Sequence, residues 1–304
     1  MTLRTAAALL FAASLPSQAA LHYVIVQGLP GEPRYEERFS EETGKIAEAA
    51  RATAGDAKRV HLLKDRGATL DKIAETLTQL KNNLNADDTV AVILVGHGSY
   101  DGSDYKFNIP GPDLTAARLA GLMDALPAER QLVVTATSSS GAAVDALQGK
   151  GRIVITATKS GRERNATVFS RYWAEAFSNP EADSDKNQTI TAQEAYQFAD
   201  AKVKAYFETA KLLASEHPRM EGELASSFTL ARLGKSAAIL SDPSLQPLVE
   251  QREDLQTKIE LLKLRKDAMG EGEYLEELQG LLLKLAELEE KISVESAKKE
   301  GAQP

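Results

Sequence analysis

The sequence has no cysteine in 304 residues, so disulfides, thiolate metal sites and a cysteine nucleophile are all excluded. Positive charge is also in the minority, since 36 Lys and Arg stand against 44 Asp and Glu. Proteins that bind nucleic acid need clustered cations for the phosphates, and we therefore predict no nucleic-acid partner. The chain is, however, 43% hydrophobic, which is enough to build the core of a large globular domain.

The first 19 residues have the order of an export signal. Arg4 precedes an apolar run over residues 6–13, and small residues follow at Ser17 and Ala19. This run is well short of the roughly 20 apolar residues that cross a bilayer. We therefore predict a signal peptide over residues 1–19, cleavage after Ala19, and an exported mature protein, periplasmic or secreted, with no membrane span.

Five short apolar runs rich in β-branched residues predict buried strands. They show little polar alternation, which is typical of parallel strands covered on both faces. The runs are residues 21–29, 59–65, 88–98, 130–139 and 151–160. Amphipathic segments between and after them predict helices at residues 36–55, 69–85, 112–126, 166–178 and 192–214. This alternation predicts an α/β domain over residues 20–240, built as a three-layer sandwich with a mainly parallel sheet.

The sequence has heptad character from Leu248 onward. Apolar residues recur at seven-residue steps, and Gly270 and Gly272 interrupt the pattern before a second helix. The predicted seam of that second helix is Leu275, Leu278, Leu282, Leu285 and Ile292. Residues 241–304 are therefore predicted to form an α-helical, coiled-coil-like hairpin with a frayed tail. A seam this short can be buried against the body of the same chain or in self-association, and the sequence leaves both open.

Two of the predicted strands end in residues with catalytic chemistry. The third strand runs into GHGSYDG, which places His97 between two glycines, and the fourth runs into TSSSG, residues 137–141. In open parallel sheets, reactive groups gather beyond the carboxyl ends of the strands. A histidine at one strand end could take a proton from a hydroxyl at the neighbouring end, so these two segments form the candidate catalytic site.

The order of these motifs resembles that of the caspase and legumain clan of cysteine peptidases, in particular its bacterial, exported, legumain-like members. Three segments carry the resemblance further: GHGSYDGSDYKFNIPGPDLT, ITATKSGRERNATVF and QTITAQEAYQFA. The resemblance covers about residues 21–235 and implies a caspase-hemoglobinase-like fold. It also implies His97 as the base, the amide of Gly98 in the oxyanion hole, and Ser138 at the nucleophile position.

Further positions follow from the same resemblance. Ser140 and Gly141 complete the Cys-x-Ser-Gly pattern of the family. The segment KSGRERN, residues 159–165, corresponds to the border of the substrate's specificity site, so Arg162 and Glu163 are implied to meet a polar or charged side chain of a peptide or protein ligand. A solvated charge cluster is the alternative interpretation of this segment.

Serine stands at Ser138, where the family has its cysteine. A thiol, with a pKa near ~8.5, forms a thiolate beside an imidazolium, whereas a hydroxyl needs a well-oriented base during attack. Three interpretations follow: a strand-to-helix turn capped by serines, a non-catalytic homologue that binds through the same pocket, and an active hydrolase using Ser138 and His97. We favour an inactive protein, because replacing a nucleophile normally removes several orders of magnitude in rate.

The acidic segment DSDKNQTITAQE, residues 183–194, follows the spacing of a calcium-binding loop. Gln188 departs from the pattern, because glycine normally makes the sharp turn there. Thr191 and Glu194 also form a capping box, which could exist only to start the next helix. The segment therefore predicts either a Ca²⁺ site that braces this helix, in a calcium-stabilised structural module, or a helix start alone. The predicted ligands are Asp183, Asp185, Asn187, Thr189, Thr191 and Glu194.

Overall fold

A computed structural model describes residues 20–234, 236–237 and 244–300. The predicted signal peptide, residues 1–19, and the predicted domain boundary at residue 240 lie outside these residues. The strands are β1 Leu21–Gln27, β2 Val60–Leu63, β3 Thr89–Val95, β4 Gly98–Tyr100, β5 Tyr105–Phe107, β6 Leu114–Thr115, β7 Arg130–Ala136, β8 Arg152–Thr156, β9 Thr189–Thr191, β10 Arg219–Glu221 and β11 Thr229–Arg232. The helices are α1 Pro33–Ala54, α2 Leu70–Lys81, α3 Ala116–Asp124, α4 Val144–Leu147, α5 Phe169–Ala176, α6 Ala192–Thr209, α7 Gln246–Leu264 and α8 Glu271–Glu300.

The central sheet has six strands in the order β10-β8-β7-β3-β1-β2. All five predicted strands are confirmed, and their neighbours pair in parallel from β2 to β8. The sixth strand, β10, joins the edge beside β8 in antiparallel orientation. The predicted mainly parallel sheet is therefore confirmed, with one antiparallel strand that the sequence pattern did not mark.

Alternate residues of the parallel strands face two separate cores. On β1, Tyr23 and Ile25 belong to a core shared with α1, α5 and α6, whereas Val24 and Val26 belong to a core shared with α2, α3 and α4. A strand covered on both faces needs apolar residues at every position, which explains why these runs lack polar alternation. The predicted α/β architecture with helices on both faces of the sheet is confirmed.

Several predicted helix boundaries differ from the structure, and two of these differences have a clear local cause. The predicted helix at residues 112–126 begins only at Ala116, because the residues before it pair with β5 and Thr115 caps the helix by accepting a hydrogen bond from the amide of Arg118 at 3.1 Å. The predicted helix at residues 192–214 ends at Thr209, five residues early. Lys211 then takes a left-handed backbone conformation, with φ of 54°, which a helix cannot continue through.

The C-terminal helices form the predicted hairpin, and α7 also packs on the body of the chain. Val249 near the start of α7 shares a small core with Leu288 and Ile292 in the second half of α8. Arg130 donates a hydrogen bond to Thr257 Oγ1 on α7 at 2.7 Å, which supports the prediction of packing on the body. Self-association stays a prediction. Within the described residues, no helix is both long and apolar enough to cross a membrane.

The predicted seam of α8 is wrong at two positions. Leu275 and Leu282 are 54% and 48% exposed, whereas Tyr274 and Leu288 are buried. The buried face of α8 therefore starts one residue earlier than the heptad count placed it, at Tyr274. The leucine spacing and the buried face differ because a helix with apolar residues at adjacent positions can turn either set toward its partner.

Candidate functional site

The carboxyl ends of β3, β7 and β8 lie side by side at one edge of the sheet. In the strand register, Val95 pairs with Ala136, and Thr135 pairs with Thr156. The segments that follow these strands therefore meet at this edge, which we call the carboxyl edge: residues 96–98, 137–143 and 157–165. The structure thus brings together the two motifs that end the third and fourth predicted strands.

Ser138, at the predicted nucleophile position, is hydrogen-bonded to Gly98 in both directions. Its hydroxyl donates to the carbonyl oxygen of Gly98 at 3.0 Å and accepts from the amide of Gly98 at 3.3 Å. The side chain is also buried, since Ser138 is only 4% exposed. The predicted nucleophile and the predicted oxyanion-hole amide are therefore bonded to each other.

His97, the predicted base, points to a different part of the chain. Its Nε2 lies 3.2 Å from the carbonyl oxygen of Pro30, and its ring packs edge-on against Tyr35 and Phe39 at centroid distances of 4.7 and 5.2 Å. Burial lowers the pKa of His97, and the Pro30 carbonyl opposes this in part. No hydrogen bond joins the His97 and Ser138 side chains, both of which the structure describes.

The glycines of both motifs are required by close backbone contacts. A Cβ atom on Gly98 would lie 2.5 Å from the carbonyl oxygen of Ser138, and one on Gly141 would lie 2.2 Å from the backbone of Lys159 and Ser160. Only glycine fits where two chain segments approach this closely. Gly98 and Gly141 therefore have a packing role in this chain.

Ser140 and Gly141 are held by Thr158 on the neighbouring strand end. The amide of Gly141 donates to Thr158 Oγ1 at 2.9 Å, and the Ser140 and Thr158 hydroxyls lie 3.2 Å apart. Ser140 is fully buried. These groups tie two strand ends together, and the Gly141 amide already has its acceptor.

Ser139, which no sequence motif marked as a site residue, is the strained residue of this edge. Its φ of 56° lies in the left-handed region, which is uncommon for residues other than glycine. It is 1% exposed, and its hydroxyl has no hydrogen-bond partner within the described part of the chain. Strained backbone and unpaired buried polar groups concentrate at functional sites.

Glu163 holds the segment 159–165 in place through hydrogen bonds to three other residues. Glu163 Oε1 lies 2.5 Å from His217 Nδ1, and Oε2 accepts from the amide of Lys159 at 2.9 Å. The carbonyl of Glu163 also accepts from the amide of Ser139 at 2.8 Å. Arg162, by contrast, is exposed. Glu163 therefore shapes the carboxyl edge, and Arg162 is the member of this predicted pair that faces solvent.

Two glutamates outside the predicted motifs, Glu216 and Glu42, have buried carboxyl groups. Glu216 accepts hydrogen bonds from the amides of Val168 and Phe169, each at 2.7 Å, and burial raises its pKa to about 7. Burial also raises the pKa of Glu42 to about 7, although Arg38 Nε lies 3.4 Å from Glu42 Oε1. In both cases the loss of hydration outweighs the partners that favour the charged form.

Three of the six predicted calcium ligands come together in the acidic loop. Oxygens of Asp183, Asp185 and Glu194 all lie within 4.8 Å of one another. Gln188 has a φ of 64°, so it adopts the left-handed turn that glycine normally makes in such loops. Burial raises the pKa of Asp185, and the charges of Glu194 and Asp183 add to the effect. This donor set fits a hard divalent cation.

The same carboxylates also make hydrogen bonds within the loop. Asp183 accepts from the amides of Asn187 at 3.1 Å and Gln188 at 2.9 Å. Glu194 Oε2 accepts from the amide of Thr191 at 3.0 Å, and both halves of the predicted capping box are present. The amide oxygen of Asn187 accepts from the amide of Thr189 at 2.7 Å, so this predicted ligand is turned toward the backbone.

No protein-family model matches the chain, and no curated protein matches it. Among solved structures, protein GSU0716 from Geobacter sulfurreducens is 12% identical over 66% of this chain and 92% of its own length, with a TM-score of 0.43. Raptor from Chaetomium thermophilum is 13% identical over 52% of this chain, with a TM-score of 0.37, and the match spans only 18% of its own length. Similarities this distant assign neither a family nor an activity.

Proposed function

We propose that this chain is an exported, legumain-like peptidase homologue that has lost peptidase activity and binds a peptide or protein segment at the carboxyl edge. One observation carries the proposal: Ser138 Oγ and the backbone of Gly98 satisfy each other's hydrogen bonds. The resemblance of the motifs supports the proposed family, and the geometry of the edge supports the proposed loss of activity.

Acyl transfer needs three things that this arrangement lacks. The hydroxyl must give its proton to a base, yet the proton of Ser138 is directed at the Gly98 carbonyl. The base must reach the nucleophile, yet His97 Nε2 faces Pro30. An amide must be free to stabilise the oxyanion, yet the Gly98 amide donates to Ser138 Oγ.

The exposed charges of the carboxyl edge favour an acidic ligand. Arg162 and Arg164 are exposed in one short segment, and Glu163 between them is already bonded to His217 and to the amide and ammonium groups of Lys159. Guanidinium groups bind carboxylates through paired hydrogen bonds. We therefore expect the bound peptide to carry Asp or Glu side chains.

Selection from a phage-displayed peptide library tests this proposal. Peptides selected on the mature protein should be enriched in Asp and Glu, and their affinity should fall about tenfold in a variant carrying Arg162→Ala and Arg164→Ala. Arg51→Ala is the matched control, because Arg51 is an exposed arginine in the last turn of α1, whereas the start of this helix, at Tyr35 and Phe39, is the part that packs on His97. A library without enrichment, or equal loss in the control, contradicts the proposal.

The acidic loop supports a second candidate function, a calcium-stabilised structural module. The observation that favours it is the convergence of three carboxylates in a loop whose residue 188 adopts the left-handed conformation. Asp183, Asp185 and Glu194 are the side chains that would hold the ion, and its charge would relieve their mutual repulsion. Because Glu194 lies in the first turn of α6, a bound ion would fix the start of this helix to the loop before it.

A further inference from the structure

Asp88 is a buried carboxylate at the opposite, amino-terminal edge of the sheet. It is 3% exposed. Oδ2 accepts a hydrogen bond from the amide of Asn85, and Oδ1 accepts one from the backbone nitrogen of Ala20, both at 2.7 Å. In the described residues, no Lys, Arg or His nitrogen forms an ion pair with Asp88. A buried carboxylate without a cation is unusual, because burial strongly disfavours an unpaired charge.

Ala20 is held at this place by the sheet itself. Its carbonyl oxygen accepts a hydrogen bond from the amide of Thr89 at 2.8 Å, directly before β1 and β3 begin their parallel pairing. Ala20 is 8% exposed. The nitrogen that faces Asp88 is therefore fixed in position by the strand that follows it.

The predicted export signal ends at this same nitrogen. Ser17 and Ala19 are the small residues that leader peptidases require on the amino-terminal side of the scissile bond. Hydrolysis of the Ala19–Ala20 bond consumes one water, leaves a carboxylate on the departing segment and leaves an α-ammonium on Ala20. We propose that processing after Ala19 creates a buried ion pair between the new α-ammonium of Ala20 and the carboxylate of Asp88.

The ammonium group binds Asp88 more strongly than the peptide amide of the unprocessed chain does. An amide offers one neutral N–H group to Asp88, whereas an ammonium offers a full charge, and charge-assisted hydrogen bonds are about twice as strong as neutral ones. The ammonium has two further N–H groups to satisfy. Ala20 lies in the wall of a cavity of about 1640 Å³ between the sheet and α7, and we expect water in this cavity to accept these hydrogen bonds. Export processing therefore stabilises the mature fold through this pair.

The first measurement identifies the amino-terminal residue of the exported protein, by mass spectrometry of the intact chain and of its amino-terminal peptide. The expected amino terminus is Ala20, and any other processed terminus overturns the proposal. The amine should also react slowly with an amine-reactive ester in the folded protein and much faster in urea. Equal rates in the two conditions show that the amine is not held by Asp88.

The second measurement isolates the charge. Acetylation of the Ala20 amine keeps one N–H donor and removes the charge, so it should lower the Tm of the mature protein by about 3 to 6 °C. The same acetylation should have almost no effect in Asp88→Asn and its full effect in Asp87→Asn, where an exposed neighbour is changed. An unchanged Tm on acetylation, or the same shift in Asp88→Asn, overturns the ion pair. If Asp88→Asn does not fold, the acetylation shift in Asp87→Asn and the slow labelling of the amine decide the question.

Discussion

Ser138 Oγ donates a hydrogen bond to the carbonyl of Gly98 and accepts one from the amide of the same residue. In a serine hydrolase these two groups have separate tasks, because the hydroxyl attacks the substrate and the amide stabilises the resulting oxyanion. In this chain they are joined, and the hydroxyl fastens the end of β7 to the start of β4. The serine therefore has a structural role, and its removal should change stability.

Ser138→Ala should lower the stability of the folded protein. The substitution leaves two backbone groups of Gly98 without their side-chain partner, so the free energy of unfolding should fall by about 1 to 2 kcal/mol. Urea denaturation followed by circular dichroism measures the change. Ser99→Ala, at an exposed residue of β4, is the matched control and should have little effect. Equal stability of Ser138→Ala and the wild type contradicts the structural role.

Glu42→Gln should stabilise the protein more at pH 8 than at pH 5. Burial raises the pKa of Glu42 from 4.5 to about 7, so its contribution to stability is fully present below about pH 4.5 and is lost as the pH rises through about 7. Glutamine is neutral at both pH values, and it should gain about 1 to 3 kcal/mol over the wild type at pH 8.

Urea denaturation of both proteins at the two pH values tests this prediction. The opposite dependence from the lowered pKa of His97 is common to both proteins and cancels in the difference. Glu37→Gln changes an exposed residue of α1 and serves as the control. A difference between Glu42→Gln and wild type that is the same at pH 5 and pH 8 contradicts the prediction.

Calcium should raise the melting temperature through the acidic loop. A ligand present at 100 times its Kd stabilises the folded state by about 2.7 kcal/mol, so saturating Ca²⁺ should shift the Tm by several degrees relative to EGTA. Asp185→Asn should abolish this shift, because it removes one of the three converging carboxylates. Glu208→Gln, at an exposed residue of α6, should keep it. A shift that survives Asp185→Asn places the calcium elsewhere, and no shift contradicts the second candidate function.

Glu253 should anchor α7 to the body of the chain. Its carboxylate pairs with the buried guanidinium of Arg232 and lies 3.4 Å from Thr229 Oγ1. Breaking a buried pair by removing one partner is strongly destabilising, and Glu253→Ala should lower the free energy of unfolding by about 3 kcal/mol. Lys258→Ala on the same helix removes an exposed pair with Asp254, which contributes about 0 to 1 kcal/mol. Equal effects of the two substitutions contradict this docking.

The sequence predicts the sheet well because apolar runs and parallel order are local signals. The strands around Val92 and Val133 had to be buried on both faces, and their carboxyl ends had to meet at one edge. These signals are sufficient to predict that His97 and Ser138 lie in neighbouring segments. They do not determine which way each side chain turns, because that depends on contacts with Pro30 and Gly98.

The parts that sequence patterns missed depend on residues far apart in the chain. His217 reaches Glu163 across 54 positions, and nothing in the local sequence of either residue marks the pair. The sequence also does not predict the strained backbone of Ser139, because three serines in a row indicate a turn but do not determine which of them takes a positive φ. The α8 seam failed at Leu275 for a local reason, since adjacent apolar residues leave the rotation of the helix open.

The reactivity of Ser138 toward a fluorophosphonate probe tests the proposed loss of peptidase activity most directly. This probe labels serines that a neighbouring base activates. With the Ser138 hydroxyl bonded to Gly98 and His97 facing Pro30, the mature protein should show no more labelling than Ser138→Ala or His97→Ala. Labelling of the wild type that disappears in both variants, each shown to be folded, would demonstrate a working Ser138–His97 dyad and contradict the loss of activity.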